Sequence, residues 1–155
     1  MPFAQMRIAF DLDDTLIPSV QTFVTERPPR RPLARLLCRI PLRLGTTRLL
    51  RTLTSQGHDI WLYTTSLRSH FLIRQLFNIP GVEVGGIINE DDHAKRTTFG
   101  CSKYPPAFGI DVLVDDLPGV VLEGQRHGFR VIQVSPKDDQ WVETVLAEVE
   151  RLQRE

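Results

Sequence analysis

Acidic residues are concentrated directly after the first apolar segment of the chain. Residues 6–10 form a short apolar run that predicts a buried strand, and Asp11, Asp13 and Asp14 follow it at once. Carboxylates this close repel one another, and burial disfavours their charged forms, so a cation must compensate them. Because hard divalent cations take oxygen ligands, the pattern indicates an Mg²⁺ site. Asp14 alone is also explained as a turn former or helix cap.

Further polar side chains follow other predicted strands. Thr64 and Thr65 end the second strand, Asp115 and Asp116 directly follow the fourth, and Lys103 lies in the polar loop before the fourth. In an open α/β sheet, ligands bind outside the carboxyl ends of the strands. We therefore expect these side chains to lie beside the first acidic cluster and to form one site with it.

Strands and helices alternate along the chain. Apolar runs predict strands at 6–10, 59–64, 84–88, 110–114 and 130–134. Helical spacing predicts helices at 33–40, 46–56, 69–77, 119–127 and about 139–152, with 89–106 as a polar loop. This alternation is typical of a three-layer α/β/α, Rossmann-like fold with a mainly parallel five-stranded sheet. The glycine-containing strand at 84–88 is expected at a sheet edge.

Several side chains have predicted structural roles. Thr46 or Thr47 is expected to cap the helix that follows them, and Asp138 or Asp139 to cap the last helix. Phe71 is expected in the core. The four histidines show no metal-ligand spacing, so surface or helix-end positions are expected for them.

Composition and charge limit the function classes. The 155 residues are 41% hydrophobic with a net charge of zero, which fits one domain over residues 1–155 and gives no overall field for nucleic-acid or membrane binding. No apolar run reaches the roughly 18 residues of a spanning helix, and the first residues do not resemble a signal peptide. Cys38 and Cys101 form no Cys-x-x-Cys motif, so free thiols and a cytoplasmic location are expected.

Four motifs in order resemble those of the haloacid dehalogenase-like (HAD-like) hydrolase superfamily. The sequence Asp-x-Asp-x-Thr at residues 11–15 is similar to its first motif, and Thr64 to its second. Lys103 is similar to the third motif, and the acidic pair Asp115-Asp116 to the fourth. Each motif is weak alone except the first, but their common order is specific, and the resemblance covers most of the chain.

The resemblance implies a phosphatase. Asp11 would be the nucleophile that forms an aspartyl-phosphate, and Asp13 the general acid for the leaving alcohol and then the base for the attacking water. Asp11, Asp116 and the backbone carbonyl of Asp13 would hold Mg²⁺, with Asp115 in support. The alternative is a phosphate- or partner-binding module that keeps the fold without turnover.

The same resemblance implies residues that contact phosphate. Thr64 and Lys103 would clamp the phosphate oxygens, and Thr65 is a further candidate, with helix capping as its alternative role. Lys95 also precedes the acidic pair and is the alternative to Lys103. We favour Lys103, because the sequence around it is a common compact form of the third motif.

The segments where this superfamily carries cap domains are short. Residues 16–46 form a short Arg/Pro-rich insertion, so the domain is expected to have a minimal cap or none. An open site fits a large phosphorylated substrate, such as a protein or a nucleic-acid end, or a small one covered by another subunit. Residues 27–51 carry eight arginines and no acidic residue. These arginines either cover helix surface with their stems or gather a polyanionic substrate, and both interpretations stay open.

Overall fold

A single sheet of five parallel strands forms the centre of the molecule. The computed structural model describes residues 4–27, 36 and 39–155. The strand order across the sheet is β3-β2-β1-β4-β5. The strands are β1 (Arg7–Phe10), β2 (Asp59–Tyr63), β3 (Val84–Ile88), β4 (Val112–Asp115) and β5 (Arg130–Gln133). Every pairing is parallel, which confirms the predicted α/β class and the number of strands.

Helices cover both faces of this sheet. They are α1 (Thr46–Ser55), α2 (His70–Leu76), α3 (Glu90–Arg96), α4 (Pro118–His127) and α5 (Trp141–Gln153), with a short 3₁₀ helix at Pro105–Phe108. Ile8 and Phe10 of β1 belong to a core cluster that includes residues of α1, α2 and α5. Ala9, between them, belongs to a second cluster with Phe108 and with Val120 of α4. This alternation along one strand produces three layers, as predicted.

The glycines of β3 make room for a large ring on the neighbouring strand. A Cβ atom added at Gly86 would lie 2.5 Å from ring atoms of Trp61. Any larger residue there would therefore displace the indole or the edge of the sheet. The strand lies at the edge of the sheet, as its composition predicts.

The segment 89–106 is not the polar loop that we predicted. It contains α3, and Asn89 caps this helix in a reciprocal capping box with Asp92. His93 is the one buried residue of α3, so the segment lacks the apolar stripe that usually identifies a helix. A second departure from prediction concerns the histidines, for which surface or helix-end positions are expected: His93 is buried within α3, and His58, shortly after the end of α1, is buried as well.

The predicted cap of α1 is wrong. Gly45, with φ of 96°, precedes the first helical residue Thr46 and provides no side-chain cap. The Thr46 hydroxyl is buried and has no hydrogen-bond partner among the described residues, and Thr47 donates its hydroxyl to Glu26. Only glycine adopts this left-handed conformation without steric cost, so the chain can turn sharply into α1.

Two further side-chain predictions need correction. Phe71 is 67% exposed, and Ile73 of the same helix is buried in its place. Gln140, and neither Asp138 nor Asp139, is the N-cap residue of α5. Asp138 nevertheless supports the start of the helix, since it accepts the backbone N–H of Gln140 and the hydroxyl of Thr144.

The Arg-rich segment is described only in part. The predicted helix at 33–40 falls mostly outside the described residues, as do Arg30, Arg31, Arg35 and Cys38. Arg43 is buried between the rings of Phe23 and Trp141 and donates to three backbone carbonyls. Arg48 pairs with Glu143. Arg43 therefore has a structural role, Arg48 forms an exposed ion pair, and the interpretation that this segment gathers a polyanionic substrate stays a prediction.

Among the described residues, we find no helix with both the length and the apolar character needed to cross a membrane.

Candidate active site

A tight turn after β1 places two polar side chains next to each other. Asp11 continues the strand ladder, since its N–H donates to the carbonyl of Val114 at 2.9 Å. The carbonyl of Leu12 then accepts the N–H groups of residues 15–17. The chain thereby folds back on itself, and the Thr15 hydroxyl lies 3.2 Å from Oδ2 of Asp11.

Asp14 stabilises this turn. Its φ of 62° is in the left-handed region, which aspartate tolerates better than most residues. Its Oδ1 accepts the backbone N–H groups of Ser19 and Gln21. These contacts agree with the structural role that the sequence offered as one explanation of this residue.

Lys103 reaches the carboxyl ends of β1 and β4 from its loop. Its Nζ donates to Oδ1 of Asp11 and to Oδ2 of Asp115, both at 2.6 Å, and the residue is only 2% exposed. Lys95 is exposed and lines a different cleft beside Trp61. The structure therefore places Lys103, and not Lys95, among the carboxylates.

Asp116 completes the acidic group on the other side of Asp11. Its Oδ1 lies 3.1 Å from the Thr15 hydroxyl, so Thr15 stands between Asp11 and Asp116. Oδ1 of the buried Asp115 accepts the N–H of Leu117. Each carboxylate is thus held by at least one neighbour, and the group is preorganised.

The carboxylates of Asp11, Asp115 and Asp116 fit a divalent cation. Ligand oxygens from the three residues lie within 4.8 Å of one another. When ionised they carry three negative charges against the single ammonium of Lys103, which leaves two uncompensated. An all-oxygen donor set with this charge suits Mg²⁺. The sequence analysis also assigned Asp13 to the metal, through its backbone carbonyl. The side chain of Asp13 does not belong to this group of three carboxylates.

Burial changes the acidity of this group. It raises the pKa of Asp11 from 3.8 to about 7, although the ammonium of Lys103 offsets part of that effect. Burial and the charge of Asp115 together raise the pKa of Asp116. Burial opposes the charge on Lys103, but Asp11 and Asp115 outweigh it and raise the pKa of its ammonium. The lysine therefore stays charged, while Asp11 and Asp116 need further positive charge to ionise fully.

Asp13 is paired with an arginine that the sequence interpretation missed. Nη1 of Arg68 donates to Oδ2 of Asp13 at 2.8 Å, and Nη2 donates to Oδ1 at 3.0 Å. Nη1 also lies 3.3 Å from the Ser66 hydroxyl. Arg68 and Asp13 are 55 positions apart in the sequence, so only the fold brings them together. The sequence offered one signal for Arg68 as a site residue, which is its position in the same strand-end loop as Thr64.

Thr64 and Thr65 lie at the end of β2 with different environments. Thr64 is buried and its N–H donates to the carbonyl of Ile88, while Thr65 is exposed. The Thr64 hydroxyl accepts the N–H of Ser66 and donates to the Ser66 hydroxyl. Ser69, and not Thr65, caps α2. Within the described part of the chain, no hydrogen bond joins either threonine to Lys103 or to the acidic group.

Comparison with solved structures shows which fold this is. A crystal structure of a HAD-superfamily hydrolase, subfamily IA, variant 1, from Geobacter sulfurreducens aligns with a TM-score of 0.60 at 13% identity, over 94% of this chain and 100% of that one. A predicted HAD-like family hydrolase from Porphyromonas gingivalis aligns with a TM-score of 0.50 at 13% identity, over 98% and 100%. No protein-family model matches the sequence, and no curated protein matches it. The chain has the HAD-like hydrolase fold.

Proposed function

We propose that this protein is a Mg²⁺-dependent phosphomonoester hydrolase that works through an aspartyl-phosphate on Asp11. The observation that carries the proposal is the environment of the Asp11 carboxylate. It lies at the end of a buried strand, bonded to the Lys103 ammonium and close to Asp115 and Asp116. Phosphoryl transfer needs a fixed nucleophile and positive charge beside the phosphate, and here the Lys103 ammonium and a cation held by the carboxylates would supply that charge.

In the first step, the Asp11 carboxylate attacks phosphorus. A bond forms between a carboxylate oxygen and phosphorus, and the bond to the leaving alcohol oxygen breaks. Hydrogen bonds from Lys103 and Thr15 orient the carboxylate, and Lys103 favours its ionised form. Orienting the nucleophile reduces the entropy lost in reaching the transition state.

Asp13 transfers the protons of the two steps. It gives a proton to the leaving alcohol, then takes one from the water that attacks the aspartyl-phosphate and releases phosphate. Its carboxylate is half-exposed and bonded to both terminal nitrogens of Arg68. With both bonds made, Arg68 orients the ionised carboxylate that acts as the base; as the acid, Asp13 carries a proton on one oxygen and keeps the Arg68 bond to the other.

The phosphate oxygens need donors and positive charge. Lys103 and Thr64 supply donors from two sides of the site, with Thr65 as a more exposed hydroxyl. Asp11, Asp116 and the backbone carbonyl of Asp13, with Asp115 in support, would hold Mg²⁺, which would supply positive charge that shields the nucleophile from the phosphate and stabilises the transition state.

We also propose that the substrate is large or carries an extended apolar group. Leu67 and Leu117 are 72% and 54% exposed. Leu67 belongs to the loop that carries Arg68, and Leu117 directly follows Asp116. Exposed apolar side chains next to residues of the site favour contact with a partner surface or with a bulky leaving group.

Phosphate release from a generic aryl phosphate tests the activity. We expect turnover that requires Mg²⁺ and disappears in Asp11→Asn. Asp14→Asn is the matched control, because it removes a carboxylate three positions away that stabilises the turn and lies outside the acidic group. Its turnover should stay close to wild type. Equal turnover in wild type and Asp11→Asn would refute the nucleophile, and Mg²⁺-dependent phosphate binding without turnover would favour the binding module.

A further inference from the structure

We infer that Tyr63 and His93 are positioning residues for Lys103, and that they hold the loop that carries it through one continuous chain of hydrogen bonds. This inference rests on the proposed function in giving Lys103 a role in phosphate binding. The contacts themselves do not depend on that role.

Lys103 lies in a segment without regular structure. Residues 97–104 form neither helix nor strand, yet Lys103 is almost fully buried and its Nζ contacts two carboxylates at 2.6 Å. A buried ammonium is stable only when its partners are held in place. The loop backbone on both sides of Lys103 must therefore be fixed by contacts from elsewhere.

His93 and Tyr63 provide these contacts. His93 Nε2 lies 3.0 Å from the carbonyl oxygen of Cys101, and its Nδ1 lies 2.6 Å from the Tyr63 hydroxyl. The N–H of Tyr104 donates to the same hydroxyl at 2.9 Å. Cys101 and Tyr104 stand on either side of Lys103, so the chain of bonds holds the loop at two points.

The acceptors determine the direction of each hydrogen bond. A carbonyl oxygen can only accept, so His93 Nε2 carries a proton and donates to Cys101. In the neutral imidazole, Nδ1 then accepts the proton of the Tyr63 hydroxyl. That hydroxyl oxygen is free to accept the N–H of Tyr104. Every member is satisfied, and chains of this kind are stronger than isolated bonds in a buried setting.

Tyr63 also connects this chain to the rest of the site. It is the last residue of β2 and directly precedes Thr64, the other proposed phosphate donor. Its ring lies under the ammonium, with Lys103 Nζ 5.9 Å from the ring centroid. The end of β2 therefore supports both proposed phosphate donors, Thr64 directly and Lys103 through Tyr63, and so fixes the distance between them.

Glu123 of α4 provides a matched comparison on the outside of the loop. Its carboxylate accepts the N–H and the hydroxyl of Ser102, but this contact is exposed to solvent. Exposed contacts of this type contribute little to stability. Replacing Glu123 should disturb Lys103 much less than replacing either buried residue.

Chemical acetylation of lysines tests the positioning without any assay of activity. The chain has three lysines, and Lys95 and Lys137 are exposed, so they act as internal standards. With an amine-directed acetylating reagent and peptide mass spectrometry, we expect Lys103 to be protected in wild type and Glu123→Gln. In His93→Phe and Tyr63→Phe it should be labelled about tenfold faster or more, because opening of the loop exposes it.

His93→Gln is the conservative variant. Its amide can donate to Cys101 and accept from Tyr63, so it should restore most of the protection. Circular dichroism below the melting temperature establishes that each variant is folded. Protection of Lys103 equal to wild type in folded His93→Phe and Tyr63→Phe would overturn the inference.

Kinetics separate this inference from the proposed function. If both hold, His93→Phe should lower kcat by up to about 100-fold, as small misplacements of catalytic groups do, and His93→Gln should recover much of it. Faster labelling together with a wild type that does not hydrolyse phosphate esters would refute the proposed function and leave the positioning intact. Hydrolysis of phosphate esters by wild type, together with unchanged labelling of Lys103 in His93→Phe and Tyr63→Phe, would refute the positioning and leave the proposed function intact.

Discussion

At the scale of single residues, the site is under electrostatic strain that a divalent cation would relieve. Asp11 and Asp115 share the buried ammonium of Lys103, with Asp116 close by, and burial together with the neighbouring carboxylates raises the pKa values of Asp11 and Asp116. Such clusters reduce the stability of the folded state in return for binding or catalysis. Removing one carboxylate should therefore raise the stability of the metal-free protein and weaken its binding of the metal.

Asp116→Asn tests this balance. Because the folded state disfavours the ionised form of Asp116, a neutral amide should raise the melting temperature without metal by about 3 °C, the shift that roughly 1 kcal/mol gives at this size. Added Mg²⁺ should then raise the melting temperature of wild type but not of the variant. The measurement is thermal unfolding with chelator and with Mg²⁺. A lower melting temperature in chelator, or a retained Mg²⁺ shift, would contradict the account.

Arg68→Ala tests how Asp13 is held. Without the two hydrogen bonds from the guanidinium, the carboxylate loses its fixed orientation, and kcat should fall by about tenfold or more, part of what a positioned acid or base supplies. Arg68→Lys keeps the positive charge but cannot donate from two nitrogens to both carboxylate oxygens, so it should recover little of the lost kcat. Steady-state kinetics with an aryl phosphate give the comparison, and full activity in Arg68→Ala would show that Arg68 has no role in orienting Asp13.

At the scale of elements, the site is built from strand ends and the loops that follow them. β1 and β4 end at the acidic group, β2 ends at Tyr63 with Thr64 directly after it, and α3 supplies His93. Short apolar strands followed by acidic or hydroxyl residues are visible in the sequence, so the strands could be predicted, and the glycines of β3 indicated its edge position. Helix α3 could not be found from periodicity, because only His93 faces the core. Its start was nevertheless recognisable as an Asn followed three residues later by Asp.

Asn89→Ala tests the role of that cap. The Asn89 side chain accepts the N–H of Asp92 and donates to the carbonyl of Arg68, so it joins α3 to the loop of the site. Its removal should lower the free energy of unfolding by about 1 kcal/mol, the usual cost of losing such a cap. Urea unfolding measures this, with the exposed Asn78→Ala as control. Equal losses in the two variants would mean that the cap contributes nothing specific.

At the scale of the whole molecule, contacts between distant segments determine what the sequence could not show. Arg68 with Asp13, and Tyr63 with His93, are separated by 55 and 30 positions and belong to no sequence motif that we identified. The parallel sheet brings them together because its crossovers place successive strand ends side by side. The motifs therefore predicted most of the residues that surround Asp11. Only the fold revealed Arg68, which holds Asp13, and Tyr63 with His93, which contact the loop that carries Lys103.

His58 connects both ends of the described chain and should make stability depend on pH. Its Nδ1 accepts the N–H of Met6, and its Nε2 lies 3.3 Å from the Gln153 amide. Burial lowers the pKa of His58 below 6.5, so the folded state favours the neutral ring. This contribution is complete above pH 6.5, and it is lost as the pH falls below 6.5 towards the folded-state pKa, because the unfolded chain binds the proton first.

Comparing wild type with His58→Gln isolates this effect from Asp11 and Asp116, whose raised pKa values act in the opposite direction. Urea unfolding at about pH 7.5 and about pH 5.5 should show that the advantage of wild type over the variant shrinks at the lower pH. An advantage that is constant or grows on acidification would contradict a lowered pKa for His58.

The central claim is that Asp11 becomes phosphorylated during turnover, and trapping this intermediate tests it most directly. In Asp13→Asn the water step loses its base, so the aspartyl-phosphate should accumulate with an aryl phosphate whose leaving group needs no proton. After an acid quench, peptide mass spectrometry should find one phosphoryl group on the peptide that contains Asp11, present only with Mg²⁺ and absent from the Asp11→Asn, Asp13→Asn double variant. Turnover in wild type without any phosphorylated peptide, or with the phosphoryl group on another residue, would contradict the account.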